Sequence, residues 1–458
     1  MKYPLFISIA SALVVVPPVP ALAESSDSRQ YIVHFDRPAD ARAAVQRSVG
    51  AHAATRSRRK RSLQPAAPVH VRSLSSSAEL FDAGPAGIRE LEATPGVIAI
   101  EEDRLLQRTS VADPSGPAVD PLWIRQWYLH DARVGIDAPV AWRYTRGEGA
   151  VVAVLDTGIT PHPEFDGQLL PGFDFITDDA AARDGDGRDA DPTDEGDWLG
   201  VGDCGSVKPQ PSSWHGSHVA GIIAARSGNA LGMSGVAPRA KIVPVRVLGR
   251  CGARLSDIAD AVTWASGGQV PGAPAVERRA DVINLSLGGA GPCGLAMQQA
   301  IAGARGRGTA VVVSAGNSGA PATAFTPANC PGVIPVGALA RDGSMAWYSN
   351  HGAGLALVAP GGSLLGVARD DILSAVDGGL QVRHRPVFAY YAGTSMAAPQ
   401  VSGVVALMRA ADPAIGVDMI TQQLVDNARP VPGRCPRGCG AGLLDAGATI
   451  DAVIEDRR

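Results

Sequence analysis

From about Trp123 onward, short apolar runs alternate with helix-like stretches, and that alternation restricts the chain to few folds. GAVVAVLDTG, AKIVPVRVLG, ADVINLSLGG and TAVVVSAGNSG are rich in Val, Ile and Ala, while HGSHVAGIIAA, LSDIADAVTWAS and GLAMQQAIAGARGRG suit helices. Strands with near-continuous apolar sequence are those buried on both faces. Strand–helix alternation means βαβ units, hence a mostly parallel sheet with helices on both sides, an α/β three-layer fold. Functional groups in such sheets gather at the carboxyl ends of the strands. The polar residues to inspect are therefore those where each run stops.

The chain has 458 residues, more than one core usually holds, so a main domain and a smaller one are expected. A formal net charge of -4 argues against nucleic acid as a partner. Lys2, the apolar LFISIASALVVVPPVP and the small residues Ala21–Ala23 form a secretory signal peptide over 1–23, so the product is expected to be secreted and extracellular. A membrane anchor fits less well, because Pro17 and Pro18 interrupt a short run, and no later segment is apolar enough to span a bilayer. Export puts Cys204, Cys251, Cys293, Cys330, Cys435 and Cys439 in an oxidising compartment, where six cysteines suggest three disulfides among fifteen connectivities. No CxxC pair or suitably spaced histidine favours zinc.

Residues 24–108 form a separate unit: strand YIVHF, helix ADARAAVQRSVGAH, helix AGIRELEAT and strand GVIAIEED fit a small α+β sandwich. The basic run Thr55–Ser62 suits a solvated loop or a processing site. The proline-rich TSVADPSGPAVDP, 109–121, is the boundary, and 122–458 the main domain. Up to Arg108 the chain carries 14 Lys and Arg against 11 Asp and Glu and the remainder is acidic, which gives a modest mutual attraction in salt.

Asp156 ends the first run, His215 opens HGSHVAGIIAA, Ser395 heads the apolar MAAPQVSGVVALM, and VVVSAGNSG stops at Asn317. Taken singly, Asp156 fits a helix cap, Asn317 a turn, and His215 with His218 one helical face. Together they make a mechanism. A serine hydroxyl needs a base, a neutral imidazole can serve, and a buried carboxylate fixes its tautomer. An amide N–H₂ from Asn317 could donate to an oxyanion. A helix opening at Ser395 offers free N–H groups beside the reacting centre, and Gly393 allows a tight turn before it.

VAVLDTGI, HGSHVAGIIAA, INLSLGG, VVVSAGN, VAPGG and GTSMAAPQVSG, in this succession over about 122–450, resemble the subtilisin-like serine proteases. The resemblance implies a subtilisin-like fold and a serine endopeptidase acting through an acyl-enzyme, with Asp156, His215 and Ser395 as triad and Asn317 as oxyanion donor. Ser217 stands where the family usually has threonine. The leading piece is similar to the family's ferredoxin-like inhibitory propeptide, which would make the protein a self-processing zymogen cut in the Arg108–Pro121 region.

By the same resemblance, Ser286, Leu287 and Gly288 face Gly252 and its neighbours across the substrate, and Ser314, Ala315 and Gly316 line a tolerant pocket of apolar or aromatic preference. Protein or peptide substrates and the chain's own propeptide are the partners implied, for a monomer. The favoured disulfides are Cys204–Cys251, Cys293–Cys330 and Cys435–Cys439, two of them bracing cleft loops. Catalysis would need no cofactor. The acidic loop RDGDGRDADPTDEGDW offers Asp184, Asp186, Asp189, Asp191, Asp194 and Asp197 as hard oxygen ligands for a structural Ca²⁺.

Overall fold

A computed structural model describes residues 29–56, 67–108, 110–112 and 122–457. The signal peptide, much of the basic run Thr55–Ser62 and most of the linker 109–121 lie outside the described residues. The leading unit runs β1 (Arg29–Phe35), α1 (Pro38–Arg56), β2 (Val69–Ser75), β3 (Ala78–Ala83), α2 (Pro85–Glu92) and β4 (Val97–Glu102). Its antiparallel sheet has the order β2-β3-β1-β4, a split βαβ arrangement. The sequence reading lacked the β2–β3 hairpin. Its alternation is broken by two register shifts and by the polar turn between Ser75 and Ala78, so period-two patterning is weak there.

Two short strands follow, β5 (Leu105–Arg108) and β6 (Ser110–Ala112). The main unit then opens with short helices α3 (Trp127–His130) and α4 (Ala138–Ala141), and continues with β7 (Val151–Asp156), β8 (Phe173–Asp174) and α5 (Asp179–Ala182). Next come α6 (His215–Ala224), β9 (Lys241–Arg246), β10 (Ala253–Arg254), α7 (Leu255–Ala265), β11 (Val282–Leu285) and β12 (Leu287–Ala290). The remainder is α8 (Leu295–Gly306), β13 (Ala310–Ser314), β14 (Phe325–Thr326), β15 (Ile334–Leu339), β16 (Leu357–Pro360), β17 (Ile372–Asp377), β18 (Pro386–Gly393), α9 (Thr394–Ala411), α10 (Val417–Asp426) and α11 (Ala446–Asp456).

Seven strands, ordered β16-β15-β13-β11-β7-β9-β8, form one sheet in which every pair is parallel. The apolar runs have this form because each strand must be apolar on both sides. In β7, Val152 and Val154 pack with α6, α9 and α11, whereas Val151, Ala153 and Leu155 pack with α7 and α8. The centre of the sheet is thus dry on both faces. ADVINLSLGG is not one strand: it breaks at Ser286, and β12 leaves the sheet to join β5.

The leader docks on the α7–α8 side, where Ile32, Leu74, Ala78 and Leu80 join that core. Its polar contacts are specific. Asp103 accepts from Ser256 N at 2.8 Å and Ser256 Oγ at 2.5 Å, at the start of α7. Glu101 accepts from Ala296 N at 2.7 Å, in the first turn of α8. Both carboxylates satisfy N–H groups that a helix start leaves without partners. Arg72 pairs with Asp257 and Asp260, which Arg188 also binds. Attraction between net charges therefore describes the contact incompletely, because the leader contributes acids as well as Arg72.

Candidate active site

The neighbouring strands β13, β11 and β7 end side by side, and the polar residues collect at that edge. Asp156 is the last residue of β7 and His215 the first of α6. Both are wholly buried, and His215 Nδ1 lies 2.7 Å from Asp156 Oδ1. A carboxylate only accepts, so Nδ1 carries the proton and Nε2 presents its lone pair. Asp156 is held in turn by Thr157 N, which donates at 2.8 Å. Trp214, just before His215, is left-handed at φ 49°, a conformation costing a bulky residue about 1–3 kcal/mol. Its indole N–H is anchored on Gly379 O at 2.7 Å. Gly216 allows the close approach of α6 to β7: a Cβ there would stand 2.1 Å from Gly158 O.

Ser395 lies in the first turn of α9 and is fully buried. Its hydroxyl donates to Ser286 O at 3.0 Å, and the hydroxyl of Ser286 donates to Ser395 O at 2.9 Å. The second bond has a local cause. Pro399 lies four residues on and has no N–H to give that carbonyl, so Ser286 supplies the hydrogen bond. Gly393 is not in a tight turn as the sequence suggested. It is extended at φ 161° and continues β18 into α9, because its N–H bonds to Gly361 O at 2.9 Å.

Asn317 Oδ1 accepts from both Thr394 N and Thr394 Oγ1 at 2.9 Å. That fixes which end of the amide is the oxygen and leaves its N–H₂ as the donating end. The turn around Asn317 is braced by Asn350, which donates to Ala315 O at 2.8 Å and accepts from Ser318 N and Ala320 N at 3.0 Å. Direct bonds thus join Asp156 to His215, Ser395 to Ser286, and Asn317 to Thr394. His215 Nε2 has no hydrogen-bond partner among the described residues, so the Ser395–His215 link is not made in this structure.

His218 shares the helical face with His215 but serves packing. It stacks on Tyr391 at 4.3 Å, and its Nε2 lies 3.1 Å from Ile372 O and 3.2 Å from Ala389 O. Burial, then the charge of His215, pushes its imidazole down to about 3. Ser217 keeps the hydroxyl in use: it accepts from Thr160 N at 2.9 Å and lies 2.9 Å from Thr160 Oγ1.

Around the cleft, β10 and β12 flank β5. Leu287 and Gly288 lie in β12, Gly252 immediately precedes β10, and Ser286 connects β11 to β12. Ser314 ends β13, Ala315 is fully buried, and Gly316 N donates to Thr394 Oγ1 at 3.1 Å. Disulfides join Cys204 to Cys251, Cys293 to Cys330 and Cys435 to Cys439, with Cα separations of 5.7, 5.1 and 6.1 Å.

Among the described residues no three His, Cys, Asp or Glu side chains come together as a metal cluster. Five of the six aspartates bond to local groups. Asp184 pairs with Arg246, Asp189 accepts from Asp191 N, and Asp191 caps Thr193. Asp197 accepts from Ser213 N and Oγ, and Asp186 is exposed. Asp194, pushed up to about 7 by burial and then by Asp197, accepts from Thr157 Oγ1 at 2.5 Å. That same oxygen accepts from Gly216 N at 2.9 Å. Asp194 therefore supports the start of α6. Arg246, hydroxyls and backbone N–H groups relieve part of the repulsion in the acidic loop, while Asp186 is pushed up by desolvation and then by its neighbours Asp189 and Asp184.

Four contributors escaped the sequence reading. Thr157 and Thr394 stand beside residues it singled out, in DTG and GTS, and the role of the Ser286 hydroxyl follows from Pro399. Asn350 carries no signal, since only folding brings it to Asn317.

Comparison with known proteins agrees with this architecture. The family model described as the Subtilase family matches residues 147–442. The chain is 46% identical over 369 residues to an extracellular protease of Xanthomonas campestris pv. campestris, covering 80% of this chain and 61% of that one. It is 42% identical over 378 residues to an extracellular basic protease of Dichelobacter nodosus, covering 80% and 60% respectively. This chain thus spans about three fifths of the length of those relatives. Among solved structures, a protease of Pseudoalteromonas arctica PAMC 21717 superposes with a TM-score of 0.72 at 45% identity, covering 74% of this chain and all of that one. With the parallel sheet, the Asp156–His215 pair and the motifs in their order, the match over residues 147–442 places this chain in the subtilase family.

Proposed function

We propose that the protein is a secreted serine endopeptidase, made with a leader that its own active site removes. The observation that carries the reading is the buried Asp156–His215 bond of 2.7 Å at a strand edge that also holds Ser395. Ser395 Oγ attacks the peptide carbonyl carbon and gives its proton to His215 Nε2. Asp156 keeps the imidazole in the right tautomer and stabilises its charged form. The N–H₂ of Asn317 and the Ser395 N–H hold the oxyanion. His215 then protonates the leaving amine, and water, deprotonated by the same nitrogen, releases the acyl group. Rotation of the Ser395 side chain from Ser286 O toward His215 is the one link still to form, and such links tighten when substrate binds.

Substrate binds as an extended strand between the segments at Gly252 and at Ser286–Gly288. Ser314, Ala315 and Gly316 form an uncharged wall, which suits apolar or aromatic side chains. Export through residues 1–23, the leader 24–108 as inhibitor and chaperone, and a monomeric product belong to the same proposal. The chain's acidic balance gives nucleic acid no evident site, and among the described residues no helix is long and apolar enough to cross a membrane.

The test is digestion of casein by the purified protein and by Ser395→Ala. Wild type should cleave casein and lose that activity to a serine-directed covalent inhibitor. Ser395→Ala should do neither and keep its leader. Equal casein cleavage by the variant would end the assignment. A peptide-binding protein without catalysis would instead leave casein intact in both.

A further inference from the structure

β11 reads Val-Ile-Asn-Leu, and its asparagine is a polar residue in a strand that is otherwise wholly apolar. By the two-residue alternation of a strand, Asn284 shares the face of Val282, whose core includes Met396, Val401 and Val405 of α9. Its amide is fully buried there and belongs to a line of four polar side chains, with Ser286, Ser395 and Ser402, all wholly buried. Ser402 Oγ donates to Asn284 Oδ1 at 2.9 Å. Asn284 Nδ2 donates to Ser286 Oγ at 2.9 Å. Ser286 Oγ donates to Ser395 O at 2.9 Å. The line thus leaves α9 at Ser402, crosses to the sheet, and returns to α9 at the reacting residue.

The bonds in this line have one direction. An amide has an accepting end and a donating end, and a serine hydroxyl has a single proton. Ser402 gives its proton to Asn284 Oδ1, which turns the N–H₂ end toward Ser286. An N–H₂ cannot accept, so the Ser286 oxygen receives from it and the Ser286 proton is sent to Ser395 O. That carbonyl depends on it, because Pro399 brings no N–H to the helical position. Were the amide reversed, its oxygen would take the Ser286 proton and Ser395 O would lose this donor. Ser402 holds the amide against that reversal, and such chains of buried hydrogen bonds act as a unit.

We propose that Asn284 and Ser402 are positioning residues for the hydrolysis: they set the direction of the Ser286 hydroxyl and, through it, the backbone of the nucleophile. The inference rests on the serine endopeptidase reading and deepens it. In the structure Ser286 holds Ser395 twice, its carbonyl accepting from Ser395 Oγ at 3.0 Å and its hydroxyl donating to Ser395 O at 2.9 Å. When Oγ turns toward His215 the first bond is given up. The second keeps the Ser395 carbonyl tied to the sheet while Oγ moves, which preserves the angle from which Oγ approaches the substrate. Neither Asn284 nor Ser402 touches the reacting atoms, so both act through Ser286, on the chemical step rather than on substrate binding.

The experiment measures hydrolysis of a peptide anilide by enzyme produced from the full-length chain, with active sites counted by a serine-directed covalent inhibitor so that only folded molecules enter kcat. Ser402→Ala should lower kcat about 5- to 10-fold with KM unchanged, the size of one neutral hydrogen bond acting only in the transition state. Ser402→Thr and Ser402→Val share a shape and differ in the hydroxyl, so the threonine variant should exceed the valine variant in kcat by a similar factor. In a Ser286→Ala background, where the last link is already cut, Ser402→Ala should cause no further loss. An equal loss in both backgrounds would show that Ser402 acts by packing and would overturn the proposal. Wild-type kcat in Ser402→Ala, or a change confined to KM, would overturn it too, with the serine endopeptidase reading left standing. Absence of hydrolysis by the wild type would overturn that reading and the positioning roles with it.

Discussion

His215 and His218 are three residues apart on α6 and both are fully buried, yet the rim of the sheet and the interior beneath it give them opposite chemistry. At the rim His215 meets a carboxylate, Asp156, and its second nitrogen has no partner among the described residues. Beneath it His218 meets two carbonyl oxygens and the face of Tyr391. A carboxylate stabilises a protonated imidazole, whereas burial, and then the charge of His215, keeps His218 neutral in spite of its carbonyl partners. The comparison teaches that burial alone says little about a histidine. What its bonded nitrogen meets, a carboxylate for His215 and backbone carbonyls for His218, separates the two.

The strongest way to break this contrast is His215→Ala. It should lower kcat by about 10⁶, the size known from subtilisin itself, without moving the melting temperature much, as stopped assays and thermal unfolding would show. Retention of a tenth of the activity would refute the assigned base. Asn317→Ala probes the same rim with a smaller effect, about 10²–10³ in kcat, again a value taken from subtilisin, with KM little changed. A change confined to KM would instead make Asn317 a binding residue.

The interior is tested by His218→Phe, which should leave kcat per folded molecule nearly unchanged and alter the response to acid. His218 falls to about 3 in the fold against 6.5 when unfolded, so between those values the unfolded chain takes up a proton that the folded one refuses. Its contribution to stability is complete above pH 6.5 and is lost as pH falls toward 3. In a Ser395→Ala background, which prevents self-digestion, the variant's melting temperature should therefore decline less steeply from pH 7 to pH 4 than that of its parent. Parallel curves would show that His218 titrates normally.

The large sheet was legible because strands dry on both faces must be written almost wholly in apolar residues, as in Val151–Leu155. The rim was legible at Asp156 and Asn317, which follow apolar runs, whereas His215 and Ser395 stand at the starts of helices. The hairpin in the leader was not, since a half-exposed pair with shifted register loses its period. The acidic loop was legible only as composition, which reveals six carboxylates but not that Arg246, Thr157, Thr193 and Ser213 bond four of them, Asp184, Asp194, Asp191 and Asp197. Asn350 shows the remaining limit: a brace recruited from a distant loop is specified by tertiary geometry, not by any local pattern.

The proline in the second turn of α9 reaches further than its helix. Because the backbone oxygen of Ser395 is tethered across to Ser286, the reactive residue is stapled to the sheet independently of the coil it heads. Further along, Val404 to Met408 are wholly buried in the core, so amide exchange there should be as slow as global unfolding.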